Sequence, residues 1–303
     1  MLAYFPVVEF RLDFLRLLIA AKPCRADVTL PVSESFSART GDESAERPVN
    51  LLTLARDLKR RKARERSQSF VAEGVRTVEM LMASPLTIEG VLATSTLSAD
   101  SRGLAILIRA HQNNIPVLTV SEAEFASAAN TDTPQGVLAI AAIPTNELRD
   151  PPARALYLVL DALQDPGNLG TVIRTAAAFG VTSTISLPGT VDLWNAKVVR
   201  SSMGALFTHP TVALPSAELG QFLALNDVSC WAADTDGDTL DTVTHSIPER
   251  LALVVSNEGA GLSTDAATFV TRKVAIPMSA GVESLNVAVA TGILLHAFRS
   301  SAR

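Results

Sequence analysis

The stretch Asp165-Pro-Gly-Asn-Leu-Gly-Thr-Val-Ile-Arg174 decides the fold of this chain. Its first four residues have the composition of a tight turn. The turn follows an apolar run at 156–160, which is typical of a buried strand, and it leads into a helical pattern at about 170–179. A strand, a turn and a helix in this order form one unit of an open α/β sheet. In such a sheet, polar residues at the carboxyl end of a strand are candidates for a ligand site.

The same alternation continues towards the end of the chain. Apolar strands are predicted at 184–187, 228–233, 251–255 and 274–276, and helices at about 195–203, 216–225 and 284–299. Short apolar strands that alternate with helices predict a mostly parallel sheet that is covered on both faces. The last helix is apolar on nearly every side, which predicts burial all round, either in the core of one chain or in a twofold interface between two copies.

Residues 49–145 are predicted to form a smaller α/β sandwich. Helices are expected at 51–66, 75–83 and 103–113 and from Ser121, whose hydroxyl forms a capping box with Glu124; strands are expected at 69–72, 88–93, 117–120 and 136–143. A link rich in proline and charge, 144–152, separates this block from the domain at 153–303. Residues 1–48 are interpreted as an N-terminal extension, partly flexible, because 33–48 has the composition of a linker.

The overall composition is that of a folded protein, with 48% hydrophobic and 19% charged residues. Cys24 and Cys230 give no disulfide framework, and the four histidines have no metal-ligand spacing. The apolar stretch at 14–21 is too short to span a membrane, and the acidic Glu9 and Asp13 argue against a secretory signal. We therefore expect a cytoplasmic protein with no membrane partner and no metal.

One basic cluster stands out in a chain whose net charge is −5. It comprises Arg56, Lys59, Arg60, Arg61, Lys62, Arg64 and Arg66, and the only acidic residues within it are Asp57 and Glu65. Such a cluster fits the phosphate backbone of an RNA. It fits a solvated helix face equally well, and charge alone leaves both interpretations open.

Three predicted strands end in polar or glycine-rich sequence. These ends are the Asp165–Arg174 stretch, Ser256-Asn-Glu-Gly-Ala-Gly261 and Pro277-Met-Ser-Ala-Gly-Val-Glu-Ser-Leu-Asn286. Taken singly, each could be a turn or a helix cap. Arg174, however, is a cation in the first turns of a helix, where it opposes the helix dipole, and Glu258 is a charge directly after a buried strand. No Gly-x-Gly-x-x-Gly, P-loop or Gly-x-Ser-x-Gly motif is present.

Taken together, these motifs resemble those of the SpoU/TrmH family of RNA ribose methyltransferases. The resemblance is carried by the runs at 165–180, 256–262 and 276–290, in that order, and by a connecting segment at 191–205. Phe70-Val-Ala-Glu-Gly74 and Thr133-Pro-Gln-Gly-Val137 are similar to landmarks of the family's N-terminal RNA-binding domain. The likeness covers roughly residues 50–300.

The resemblance implies the fold and the reaction. The fold would be that of the SPOUT superfamily: a C-terminal α/β domain with a mostly parallel sheet and a deep trefoil knot, preceded by a small α/β sandwich that binds RNA. The methyl group of S-adenosylmethionine would be transferred to a ribose 2′-hydroxyl without a metal. The family works as homodimers, with each site completed across the interface.

The resemblance also assigns the site residues. Arg174 would orient and activate the hydroxyl, with Asn168, Glu258, Ser284 and Asn286 as the other catalytic residues. The cofactor would be bound by Ser256, Gly259, Ile276, Leu285 and Asn286, largely through backbone groups. Many family members have glycine at the position of Ser256.

The RNA is the open part of the prediction. A separate N-terminal α/β domain favours 23S ribosomal RNA over transfer RNA. A transfer RNA methyltransferase, a non-catalytic RNA-binding protein of the same fold and an unrelated small-molecule-binding α/β protein are the alternatives.

Overall fold

The computed structural model describes residues 50–145, 147–257 and 259–301. The predicted N-terminal extension, 1–48, lies outside the described residues, and so does Glu258.

The first part of the described chain forms a four-stranded sheet in the order β1-β4-β2-β3. Strand β2 pairs parallel with β3, and β4 pairs antiparallel with both β1 and β2. Helices α1 and α5 cover one face of this sheet, and α3 and α4 cover the other. The strands are β1 (Ser69–Glu73), β2 (Ile88–Thr94), β3 (Val117–Val120) and β4 (Val137–Ala142); the helices are α1 (Leu51–Asp57), α2 (Arg61–Ser67), α3 (Val75–Met82), α4 (Ser101–Gln112) and α5 (Glu122–Ala128).

The start of α5 confirms the predicted capping box, since Ser121 and Glu124 exchange both hydrogen bonds. The single helix predicted at 51–66 is wrong, because the chain breaks between α1 and α2. The reason is Arg64, whose buried guanidinium donates from Nη1 to the carbonyl oxygens of Leu58 (2.6 Å) and Lys59 (3.0 Å). These carbonyls lie just after α1, so a side chain from the next helix satisfies groups that a continuing helix would have bonded.

The second part of the described chain forms a six-stranded sheet in the order β10-β8-β9-β5-β6-β7, and every neighbouring pair is parallel. The parallel α/β sheet expected from the sequence is thereby confirmed. Its strands are β5 (Ala155–Asp161), β6 (Ser183–Ser186), β7 (Thr211–Ala213), β8 (Ser229–Thr239), β9 (Arg250–Ser256) and β10 (Arg272–Ala275). The edge strand β7 was not predicted, because three residues are too few for a periodic pattern.

Helices cover both faces of this sheet. Helices α6, α7 and α11 pack on one face with Leu158 and Val255, and α8 and α10 pack on the other with Tyr157 and Val254. The helices are α6 (Pro166–Phe179), α7 (Ala196–Ser201), α8 (Ser216–Leu225), α9 (Leu240–Val243), α10 (Thr264–Ala267) and α11 (Val287–Ser301). Helices α9 and α10 are single turns, and the sequence pattern did not indicate them.

The pairing of strand β8 with β10 is interrupted in the middle of β8. Its residues Trp231 and Ala232 pair with the first half of β10, and pairing resumes only at Asp238 and Thr239. We call the intervening residues, 233–237, the β8 bulge. At Gly237 an added Cβ would lie 2.5 Å from backbone atoms of Lys273 and Val274, so no other residue fits there.

The last helix differs from its prediction in two ways. It begins at Val287 and not at Ser284. It is also not buried all round within one chain: Leu294, Leu295 and Phe298 are buried, whereas 53% of Val289 and 38% of Ile293 are exposed. One side of α11 therefore presents apolar side chains to solvent. Within the described part of the chain, no helix is long and apolar enough to cross a membrane.

Candidate active site

The polar strand ends meet at one edge of the large sheet. Strand β5 ends at Asp161, β9 ends at Ser256, and these two residues are direct partners in the parallel ladder. The α6 helix follows β5 after a short loop and is N-capped by Asp165, whose carboxylate accepts from the backbone N–H of Asn168 at 2.7 Å. The turn chemistry of the Asp165–Arg174 stretch thus places the first turn of α6 above the carboxyl ends of the central strands.

A cleft opens at this edge. Its floor is apolar, and its wall carries hydroxyl, amide and carboxylate groups. Four of the residues predicted for the site line it: Ser256, Ile276, Ser284 and Leu285. The full lining is Ala233, Asp234, Thr235, Val255, Ser256, Asn257, Gly261, Leu262, Val274, Ile276, Met278, Ser284, Leu285, Val287, Ala290 and Leu294.

Gly259 and Asn286, also predicted for the cofactor, are not part of the cleft lining. In sequence, Gly259 lies between the lining residues Asn257 and Gly261, and Asn286 lies between Leu285 and Val287. Gly259 belongs to a turn that is closed by Asn257, whose side-chain oxygen accepts from the backbone N–H of Gly259 (2.9 Å) and Ala260 (3.2 Å). The predicted catalytic residue Glu258 is not among the described residues.

Asn286 joins the last motif to the first. Its side-chain Nδ2 donates to Oδ1 of Asn168 at 3.1 Å, and its own Oδ1 accepts from the backbone N–H of Ala288 at 3.0 Å. The second bond caps the first turn of α11. The structure therefore brings together two predicted catalytic residues, one in the first turn of α6 and one directly before α11.

Arg174 is not brought to the same place. It lies six residues after Asn168 on α6, which corresponds to about 9 Å along the helix and about 120° around it. The Asn168 side of α6 packs on α11, where a Cβ added at Gly292 would lie 3.8 Å from Thr175 and the rings of Phe179 and His296 are 6.0 Å apart. Arg174 is exposed, and within the described residues it makes no hydrogen bond or ion pair.

Sequence reasoning missed two acidic residues at this edge. Asp161 is buried, and its Oδ2 accepts from the backbone N–H of Ser263 at 2.7 Å, which anchors the loop after β9. Asp234 lines the cleft, and its hydrogen bond with Lys273 lowers the pKa of its carboxyl group. Asp161 follows the apolar run at 156–160, and Asp234 follows the predicted strand at 228–233. A charge directly after an apolar run is the same signal that singled out Glu258, so the sequence did contain the information.

The basic cluster is largely occupied by contacts within the chain. Arg64 is buried and also donates from Nε to Asp192 at 2.8 Å. Most of the other members are exposed but hold partners of their own: Arg56 and Lys59 bind Ser127, Arg60 pairs with Asp57, and Arg61 pairs with Glu65. Lys62 and Arg66 are exposed and, within the described residues, have neither a hydrogen bond nor an ion pair.

Two other reactive side chains lie away from the cleft. Burial lowers the pKa of His209 to about 4, and the ring is hydrogen-bonded to Thr184 at 2.8 Å. Burial raises the pKa of the Cys230 thiol to about 12, which makes it a poor nucleophile. Among residues 50–145, 147–257 and 259–301, no group of three or more His, Cys, Asp or Glu side chains is placed to hold a metal ion.

Comparison with known proteins gives two matching families. Residues 155–296 match the SpoU rRNA Methylase family, and residues 53–139 match the MRM3-like substrate binding domain. The chain is 32% identical over 240 residues to the 23S rRNA (guanosine(2553)-2′-O)-methyltransferase RlmP of Bacillus subtilis, which covers 79% of this chain and 92% of that protein.

Two solved structures are similar over most of the chain. One is a putative RNA methyltransferase of the TrmH family from Porphyromonas gingivalis, with a TM-score of 0.69 and 30% identity over 84% of this chain and 99% of that one. The other is an AdoMet-bound rRNA methyltransferase from Sinorhizobium meliloti, with a TM-score of 0.71 and 28% identity over 83% of this chain and 95% of that one.

Proposed function

Because the chain belongs to the SpoU rRNA methylase family, we propose that it transfers a methyl group from S-adenosylmethionine to a ribose 2′-hydroxyl of 23S ribosomal RNA. One observation carries the proposal. Ser284 and Leu285 line the cleft, and the next residue, Asn286, is hydrogen-bonded to Asn168 of the first motif. A place for the methyl donor and a pair of polar side chains for the acceptor are thus adjacent.

The cleft fits the methyl donor. Its apolar floor of Val255, Val274 and Leu294 suits the flat adenine, and its polar wall suits the ribose and the amino acid part. The backbone groups of Ser256, Ile276 and Leu285 would hold adenine and ribose. The sulfonium of the donor supplies an electrophilic methyl group when it is bound, so the chain needs to position the acceptor and stabilise its oxygen.

The acceptor hydroxyl needs such help because it is a poor nucleophile while it keeps its proton. In this proposal Arg174 orients the hydroxyl and the neighbouring phosphate through its planar guanidinium. Asn168, Glu258, Ser284 and Asn286 position Arg174, the ribose and the methyl donor. The hydrogen bond between the side chains of Asn168 and Asn286 supports this arrangement, because each amide holds the other in position.

Completion of the site by a second copy of the chain is part of the proposal. Arg174 lies on a different side of α6 from Asn168, so it would serve the site of the partner subunit. The uncovered side of α11, with Val289 and Ile293, supplies apolar surface for a twofold interface. Light scattering at micromolar concentration tests this: we expect a dimer for the wild type and a monomer for Ile293→Asp, and a monomeric wild type would exclude the dimer.

We further propose that residues 49–145 form the RNA-binding domain and 153–303 the catalytic domain, with 1–48 as an extension. The match of residues 53–139 to a substrate binding domain supports the first assignment. A deep trefoil knot in the catalytic domain and a cytoplasmic location belong to the same proposal. Membership of the SpoU family is what supports the knot.

The purified chain tests the reaction directly. With radiolabelled S-adenosylmethionine and 23S ribosomal RNA, we expect methyl incorporation at one nucleotide, whose 3′ phosphodiester then resists alkaline cleavage because the 2′-oxygen is blocked. Transfer RNA serves as the competing substrate. Methylation of transfer RNA alone would reassign the substrate, and cofactor binding without methylation of either RNA would indicate a non-catalytic RNA-binding protein.

A further inference from the structure

The β8 bulge forms one wall of the cleft. Three of its residues, Ala233, Asp234 and Thr235, belong to the lining. Asp234 is the one charged side chain among the described residues that line the cleft. The bulge therefore places a single carboxylate against whatever occupies this space, and none of the motifs recognised in the sequence accounts for it.

Asp234 is held in place from several directions. Its Oδ2 lies 2.7 Å from Nζ of Lys273, and its Oδ1 accepts from the backbone N–H of Asp236 at 3.1 Å. The bulge is held against β10 by the close approach of Gly237 and by the pairing of Arg272 Nε with Asp238 at 2.7 Å. A carboxylate fixed in this way accepts further hydrogen bonds without losing side-chain freedom on binding.

The ion pair between Asp234 and Lys273 indicates which part of the methyl donor Asp234 would bind. A carboxylate placed to attract the sulfonium would stabilise the starting state, because the positive charge on sulfur disappears as the methyl group leaves. Lys273 offsets the charge of Asp234 and leaves it chiefly as a hydrogen-bond acceptor. The hydrogen bond from Lys273 also holds the pKa of Asp234 below its ordinary value, so the group remains an acceptor at neutral pH.

The methyl donor has hydrogen-bond donors at its ribose hydroxyls, its adenine amino group and its α-ammonium group. The ammonium, like the sulfonium, is a cation, and Lys273 offsets the attraction that Asp234 would exert on it. The ribose hydroxyls are neutral donors and suit an acceptor whose charge is offset in this way. Acidic side chains commonly recognise a ribose by accepting from its hydroxyls. The adenine is better served by the apolar floor, and a ribose attached to it lies at the polar wall. Resting on the proposed function, we propose that Asp234, positioned by Lys273, accepts hydrogen bonds from the ribose hydroxyls of S-adenosylmethionine.

Calorimetry with S-adenosylhomocysteine and its 2′-deoxy and 3′-deoxy analogues tests the proposal. For the wild type we expect at least one deoxy analogue to bind about tenfold to a hundredfold more weakly than the parent compound. Asp234→Asn should bind the parent more weakly and discriminate less than about threefold between parent and analogue. Asp236→Asn, which changes an exposed neighbour outside the cleft, should keep the wild-type discrimination.

Kinetics add a second readout. Because ribose contacts are the same before and during methyl transfer, Asp234→Asn should raise KM for S-adenosylmethionine and leave kcat nearly unchanged. Unaltered discrimination in a folded Asp234→Asn overturns the inference. If that variant does not fold, the wild type still decides, since deoxy analogues that bind as well as the parent overturn it. Failure of the wild type to bind S-adenosylhomocysteine would instead contradict the proposed function.

Discussion

The side chain of Asn286 donates a hydrogen bond to the side chain of Asn168 over 3.1 Å, although 118 residues separate them in the chain. Asn168 belongs to the first turn of α6, and Asn286 caps the first turn of α11. The two helices that carry the first and last motifs are therefore joined at their N-terminal ends. A substrate held by one amide is positioned by the other as well.

This bond predicts that Asn168→Ala and Asn286→Ala affect the same step. Each should slow single-turnover methyl transfer about tenfold to a hundredfold, because misplacement of one amide by about 1 Å disturbs the alignment of oxygen, methyl and sulfur. The double variant should be little slower than either single variant, since the two residues act as one unit. Binding of S-adenosylhomocysteine should change little, because neither side chain lines the cleft.

Thr171→Ala is the matched control for that pair of variants. Thr171 is exposed on α6, and among the described residues its hydroxyl bonds only to the carbonyl of Gly167 in the same helix, so its removal should leave the rate unchanged. Rate losses that multiply in the double variant would show that Asn168 and Asn286 contribute independently.

Arg174→Ala should retain binding of S-adenosylhomocysteine and lose methyl transfer by about a hundredfold to ten-thousandfold. Arg174→Lys should recover little of this, because a lysine keeps the charge but lacks the planar guanidinium. Arg149→Ala removes an exposed arginine from the link between the two proposed domains and should have no effect on the rate. Unchanged turnover of Arg174→Ala would remove this residue from the mechanism.

Mixed dimers determine which subunit's site Arg174 serves. If it acts in the partner's site, unfolding and refolding Arg174→Ala together with Asn168→Ala should restore about a quarter of the wild-type sites, because each mixed dimer then contains one intact site. If Arg174 acts within its own subunit, no mixed dimer contains an intact site, and the mixture is no more active than the two separate variants.

The sequence predicted the parts of this fold that depend on local pattern. The central strands β5 and β9 and the turn at Asp165 follow from apolar runs and turn chemistry, and the structure has them at nearly the predicted positions. The break between α1 and α2 could not be predicted, because it depends on where the side chain of Arg64 folds back. Local composition favours a continuous helix there.

The motifs of the candidate site could be predicted from the sequence, but the contacts between them could not. Ser256, Ile276 and Leu285 meet in one cleft because parallel strands end at a common edge, which the strand pattern implies. The contact between Asn168 and Asn286 depends on how α6 packs on α11. The β8 bulge depends on a register step against β10, and neither relationship has a local signal.

Lys62 and Arg66 of α2, which have no hydrogen bond or ion pair among the described residues, predict how RNA binding responds to mutation. Lys62 and Arg66 are four residues apart and so lie on one side of the helix. Replacing both with Ala should weaken binding to ribosomal RNA and lower the slope of log K against log salt by about 1.5 to 2, since each phosphate contact contributes a little less than one unit. Fluorescence anisotropy at several KCl concentrations measures this slope.

Arg60→Ala with Arg61→Ala is the matched control, because it removes the same charge from side chains already paired with Asp57 and Glu65. We expect a smaller change in slope for this pair. Equal slopes for the two double variants would mean that overall charge, and not the free side of α2, determines RNA binding.

His209 predicts an acid-sensitive fold. Burial lowers the pKa of this histidine to about 4 from an ordinary value of 6.5, so between these pH values the unfolded chain binds a proton that the folded chain does not. The stability that the neutral His209 allows is therefore fully present above about pH 6.5, and the free energy of unfolding decreases as the pH falls towards 4. The loss amounts to about 3 kcal/mol, because each pKa unit corresponds to about 1.4 kcal/mol.

Urea unfolding at pH 7 and pH 4.5 measures this effect. His209→Gln keeps a side chain that can hydrogen-bond to Thr184 but cannot titrate. Between the two pH values, the free energy of unfolding of the variant should therefore fall by about 2 to 3 kcal/mol less than that of the wild type. His111→Gln, which removes an exposed histidine, should behave like the wild type. An equal fall in His209→Gln and the wild type would assign the acid sensitivity to other groups, such as the carboxylates, that become protonated over the same range.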